Sequence, residues 1–153
     1  MAKKTDEYYM NIALNEARKA LDNDDVPIGA IILYDGKIIA RAYNQVEKVK
    51  NSLAHAEIIA LNKAIKKVGY KHLLDCEIFT TLEPCPMCAG ALVLARIKRL
   101  VYAAKDPKSG AVNSVFNITN HPKLNHKVEI TSGVLSKESS ELITEFFQFI
   151  RNQ

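Results

Sequence analysis

The chain has 153 residues, 48% of them hydrophobic and 25% charged, with a formal charge of +4; this suits one domain with a sizeable core. Its three cysteines argue against a secreted disulfide scaffold, and no segment approaches the roughly 18 consecutive apolar residues of a membrane span. The lysines are dispersed, so the charge alone speaks for a solvated surface more than for a polyanion site. The opening MAKKTDEYYMN has charges and no apolar stretch behind them, so no signal peptide is expected and a reducing, cytoplasmic setting is.

From Asp6 to about Asp22, apolar residues at Met10, Ala13, Leu14, Ala17 and Leu21 form the stripe of an amphipathic helix, with Thr5 or Asp6 available to cap it. Val26–Leu33 is apolar and rich in Val and Ile, a strand; Tyr34-Asp35-Gly36-Lys37 is a hairpin signal, and Ile38 to about Tyr43 a second strand. Ala54–Val68 reads as a helix ending at Gly69. Glu77–Leu82 is a short strand, Pro86 to about Arg96 a helix with proline in its first turn, and Arg99–Ala103 a strand. Lys105–Asn125 holds Gly, Pro, Asn and Ser and reads as a long loop, a length often tied to function. Lys127–Thr131 is a fifth strand, and Ser136 is placed to cap a last helix reaching about Arg151. Strands separated by helices predict an α/β domain with a mixed sheet and helices on both faces, and the alternation over 54–103 predicts parallel crossovers.

The chemistry concentrates in two short stretches. Cys85 and Cys88 lie three apart at the start of a predicted helix, where both sulfurs face one way and the helix dipole favours thiolate, the form that zinc binds. A redox pair is the competing reading of Cys-x-x-Cys. His55, in Ala54-His55-Ala56-Glu57, stands at another helix start. Two helix N-termini pointing at one spot would set His55, Cys85 and Cys88 around one ion. No fourth ligand is apparent: Cys76 opens a strand as a small buried residue, and His72, His121 and His126 lack ligand spacing. A structural zinc site closes with four ligands; a catalytic one keeps a place for water, whose pKa zinc lowers to about 7. Glu57, off the metal but beside it, is then the expected proton shuttle. His-x-Glu followed by Pro-Cys-x-x-Cys is the signature of zinc nucleobase deaminases.

With these motifs the chain resembles the bacterial tRNA-specific adenosine deaminases of the cytidine deaminase-like superfamily. The resemblance extends over VPIGAII (26–32), AHAEIIAL (54–61), TLEPCPMCAGAL (81–92), Asp106-x-Lys108-x-Gly110, LNHKVEI (124–130), GVL (133–135) and EFF (145–147). It implies a three-layer α/β/α fold with a five-stranded sheet, one Zn2+ per subunit, a homodimer, and hydrolysis of adenosine to inosine at the wobble position of a tRNA anticodon stem-loop, foremost an arginine tRNA. It also implies that Asn44 hydrogen-bonds the extruded base, that Asp106 and Lys108 lie near the anticodon loop, and that Phe146 and Phe147 stand near the substrate entrance. Ser52-Leu53 replaces the Pro-Thr that the family often has before the histidine, Gln148 replaces a basic residue after the two phenylalanines, and Ala-Val-Asn-Ser follows Gly110 where small residues are more usual.

Two other functions stay open at this point. A free-base or nucleoside deaminase, for guanine or cytidine, would use the same zinc chemistry. A non-catalytic RNA-binding protein with structural zinc would not need Glu57 or an open position.

Overall fold

The computed structural model describes residues 4–153, so the first three residues of the charged opening stretch lie outside it. Helix α1 (Asp6–Lys19) starts where the Thr5 hydroxyl accepts the Tyr8 N–H at 3.1 Å, a side-chain cap on an otherwise unpaired donor. The helical pattern expected to run to Asp22 tightens into a 3-10 turn at Ala20–Asn23, closed by left-handed Asp24. Strand β1 (Gly29–Tyr34) begins three residues later than its apolar run, beyond Pro27, which has no N–H to give a ladder. Asp35 and Gly36, at φ 51° and 75°, make the tight turn into β2 (Lys37–Tyr43). A one-turn helix α2 (Val46–Val49) follows, then α3 (Ala56–Val68), which ends on left-handed Gly69.

Strand β3 (Cys76–Leu82), helix α4 (Pro86–Leu94) and strand β4 (Arg99–Ala104) form the expected crossover, with β3 and β4 parallel. Helix α4 stops two residues short of Arg96, whose positive φ of 59° cannot continue it. Strand β5 (Glu129–Ser132) pairs parallel to β4. Helix α5 (Ser136–Arg151) closes the chain. Ser136 does not cap it. The cap position falls on Leu135, at φ 57°, whose partly buried side chain packs against the α1-side core instead.

The five strands lie in the order β2-β1-β3-β4-β5, with β1 antiparallel to both neighbours. Side chains alternate across this sheet. Ala30, Ile32, Ile78, Leu100 and Tyr102 meet the apolar faces of α3 and α4; Ile31, Leu33, Phe79, Val101 and Ala103 meet Tyr9, Met10 and Ala13 of α1. Val134 and Leu135 lead α5 into the α1 layer, where it packs on β3 and β4. The result is the three-layer α/β/α arrangement expected. Helix α1 crosses so near β1 that a Cβ on Gly29 would stand 2.1 Å from the Ala13 carbonyl oxygen. Only glycine fits there.

Candidate metal and active site

His55 and Cys85 occupy equivalent places: each is the extended residue immediately before a helix, α3 and α4 respectively, and neither uses its side chain to cap that helix. Their side chains are therefore free to meet. The His55 Nδ1 lies 3.5 Å from Cys85 Sγ and 3.6 Å from Cys88 Sγ. Ligands at zinc–nitrogen and zinc–sulfur bond lengths on a tetrahedron would be about 3.6 Å apart. The three donors lie within 4.8 Å of one another, the one such group among the described residues. Two thiolates and an imidazole suit zinc chemically, so the residues fit the ion.

The electrostatics of the cluster agree with that use. A hydrogen bond from Cys88, helped by the His55 ring, outweighs burial and holds the Cys85 thiol down at about 4. The same bond, with burial, pushes Cys88 well above the usual thiol range. His55 is raised, chiefly by its bond to Cys85. Glu57 follows in the first turn of α3, 4% exposed, and burial pushes its carboxyl up to about 7. Cys76 lies away from this group, buried at the start of β3, where burial raises its thiol to about 11; it is not a ligand.

The cluster opens through His55 into a cavity of about 700 Å³, large enough for a nucleoside. Asn44, just past β2, lines it; its Oδ1 accepts the Ala56 N–H at 2.9 Å and so supplies α3 with the cap that His55 does not give. Asp106, Lys108 and Phe147 also line it. The Asp106 carboxylate is turned into its own loop, accepting the N–H of Lys108 and of Ser109 and the Ser109 hydroxyl. Phe147 is 45% exposed at the edge. Phe146 is buried and edges against the Phe147 ring, outside the cavity lining.

Two of the buried carboxylates, near this site, were not singled out from sequence. Asp25 lines the cavity and joins the segment before β1 to α2, accepting the Val26 N–H and the Glu47 N–H at the start of α2. Glu83 is 1% exposed. Burial alone would raise its pKa, but the Ser114 hydroxyl and the backbone N–H groups of Asn113, Asp106 and Val112 more than offset this and hold it below the usual carboxylate range. The signals were present: Asp25 directly precedes the apolar run 26–33, and Glu83 directly follows strand β3.

A mixed sheet carrying a histidine and two cysteines at converging helix starts, with a glutamate beside them, defines a deaminase of the cytidine deaminase-like class. The comparisons narrow this. A model of the MafB19-like deaminase family matches residues 4–151. The tRNA-specific adenosine deaminase of Aquifex aeolicus is 47% identical over 146 residues, 95% of this chain and 96% of the relative. That of Bacillus subtilis is 43% identical over 148 residues, 97% of this chain and 92% of the relative. Among solved structures, one from a study of A-to-I editing by tRNA:A34 deaminases superposes with a TM-score of 0.85 at 42% identity, covering 88% of this chain and 98% of the other. A guanine deaminase from Nitrosomonas europaea reaches 0.80 at 26% identity, covering 95% and 86%. The chain belongs to the tRNA-specific adenosine deaminase family.

Proposed function

We propose that this chain hydrolyses adenosine to inosine at the wobble position of a tRNA anticodon, foremost an arginine tRNA. Water adds its oxygen at adenine C6, the C6–N bond breaks, and ammonia leaves. The observation that carries this reading is the three-ligand cluster opening into a nucleoside-sized cavity with a buried carboxylate beside it. Zinc held by His55, Cys85 and Cys88 would supply an activated water at neutral pH. Glu57 takes the water's proton and passes it to the departing amine, and its carboxyl, raised by burial, is suited to both halves of that transfer. With its Oδ1 engaged by Ala56, Asn44 has its amide N–H groups left to orient the base.

An anticodon loop offers an unpaired base, which this chemistry requires. Phe147 supplies a ring for stacking at the cavity edge, and exposed Lys105 and Lys108 face phosphates at the rim. Identities of 42–47% to tRNA deaminases, against 26% to the Nitrosomonas guanine deaminase, favour RNA over a free base. A homodimer is supported by the outer face of α3 and α4, where Ile58, Ile65 and Ala91 line an apolar hollow beside Leu94, itself 80% exposed. Among the described residues no helix is long and apolar enough to cross a membrane; a cytoplasmic enzyme acting on tRNA is the matching assignment.

The test is inosine formation on a short anticodon stem-loop with adenosine at the wobble position, with free adenosine, cytidine and guanine run in parallel. Inosine in the stem-loop alone is expected. Turnover of a free base or nucleoside with the RNA untouched would overturn the substrate assignment.

A further inference from the structure

The deamination as derived above gives Glu83 no task, yet it is among the most heavily engaged side chains of the molecule. It follows the last residue of β3 and precedes Cys85 by two. Its own N–H donates to the Ala104 carbonyl at 2.8 Å. One carboxylate oxygen, Oε2, accepts the N–H groups of Val112, Asn113 and Ser114 at 3.0, 2.8 and 3.0 Å. The other, Oε1, accepts the Asp106 N–H at 3.1 Å and the Ser114 hydroxyl. Ala111 adds a bond from its N–H to the Pro84 carbonyl at 2.8 Å. The loop comes so close that a Cβ on Gly110 would lie 2.4 Å from the Glu83 carboxyl carbon. Successive backbone N–H groups curled around one oxygen form a concavity of the kind that captures free anions; here the anion belongs to the chain itself.

These bonds run between two segments with different work. Residues 83–88 carry both sulfur ligands. Residues 105–114 contain no helix or strand, and Lys105, Asp106, Lys108 and Ser109 among them form one wall of the cavity. Glu83 does not line that cavity, and loop donors occupy both of its oxygens, so it is not placed to touch substrate. We propose that Glu83 is a positioning residue: its single carboxylate fixes the substrate-facing wall to the metal-ligand segment, so that the spacing between the reacting centre and the rim lysines is set before RNA arrives. A wall preset in this way lowers the ordering cost of binding without entering the chemical step. The substrate named here rests on the tRNA-deaminase reading; the coupling does not.

Glu83→Gln tests it, because glutamine keeps the shape but turns an NH2 group toward donors that need an acceptor. In the full-length, metal-loaded protein, KM for the stem-loop should rise about tenfold or more, the scale of bonds lost to a charged acceptor. The kcat should stay within about threefold of wild type and metal should remain at one per chain. Hydrogen exchange at the amides of 106 and 112–114 should quicken at least about tenfold, with β3 and β4 unchanged. An unchanged KM, a fall confined to kcat, or loss of metal would each overturn the proposal. If Glu83→Gln does not fold, Ser114→Ala removes one donor: KM and loop exchange should shift in the same direction by about threefold, and no shift in either would overturn it. Wild-type protein is assayed alongside. Should it prefer a free base to RNA, the substrate reading fails, while the exchange result still decides the role of Glu83.

Discussion

His55 and Cys85 each stand at the start of a regular helix, whereas the wall facing them, residues 105–114, has no helix or strand of its own. On the first side the local backbone does the aiming: once α3 and α4 form and pack on the sheet, the three ligand atoms arrive together. On the second side the chain is irregular and is held from outside by one buried glutamate. The comparison separates two means of preorganisation. Helix ends fix the reacting centre, and a captured loop fixes the approach to it. Damage to the first should appear in metal content and kcat, and damage to the second in KM and salt dependence.

The largest effect is expected from His55→Ala. It removes one of the three donors proposed to hold zinc, so bound metal, measured by elemental analysis after dialysis, should fall from one per chain towards none and deamination should vanish. A variant that kept its metal would place the ligand set elsewhere. Glu57→Gln comes next. Metal should stay bound while kcat drops by about 10² to 10⁴, and a near-normal kcat would remove Glu57 from the proton path. On the wall side, Gly110→Ala drives a methyl group against the Glu83 carboxylate and the Asp106 carbonyl, at 2.4 and 2.6 Å. Urea denaturation should show a loss of about 1–3 kcal/mol, with KM raised and metal retained. Lys108→Ala should be mildest: a few-fold weaker RNA binding and a salt slope shallower by about one. If it lowered kcat instead, the division between the two sides would break down.

The helix-end side was legible in the sequence because its information is local. Cys85 and Cys88 announce themselves by spacing, and His55 and Glu57 by sharing a helix start. The crossover of β3, α4 and β4 followed from alternating periodicities, and the hairpin from Asp35-Gly36. What was not legible depended on partners far along the chain. The work of Glu83 is invisible without residues 106–114, 23 or more positions away. Asp25 likewise meets Glu47 from 22 positions off. The start of α5 was misjudged for a related reason: Ser136 has the chemistry of a cap, but Leu135 takes the cap position because its side chain has a place in the α1 cluster. The resemblance implies that Asp106 lies near the anticodon loop; its position lines the cavity, and the engagement of its carboxylate by the turn it sits in was not legible in the sequence.

Asn44 carries a constraint on how this protein could change over generations. One atom of its amide holds the first N–H of α3, the helix that bears Glu57, while its position lines the cavity where a base would sit. A lineage drifting towards a different base could not alter this side chain as a selectivity filter alone, because the same change would remove the bond that caps the helix bearing the proposed proton shuttle. Contacts with the rest of the RNA are freer to evolve at Lys105 and Lys108, whose side chains can be exchanged while the backbone amides bonded to Glu83 stay where they are.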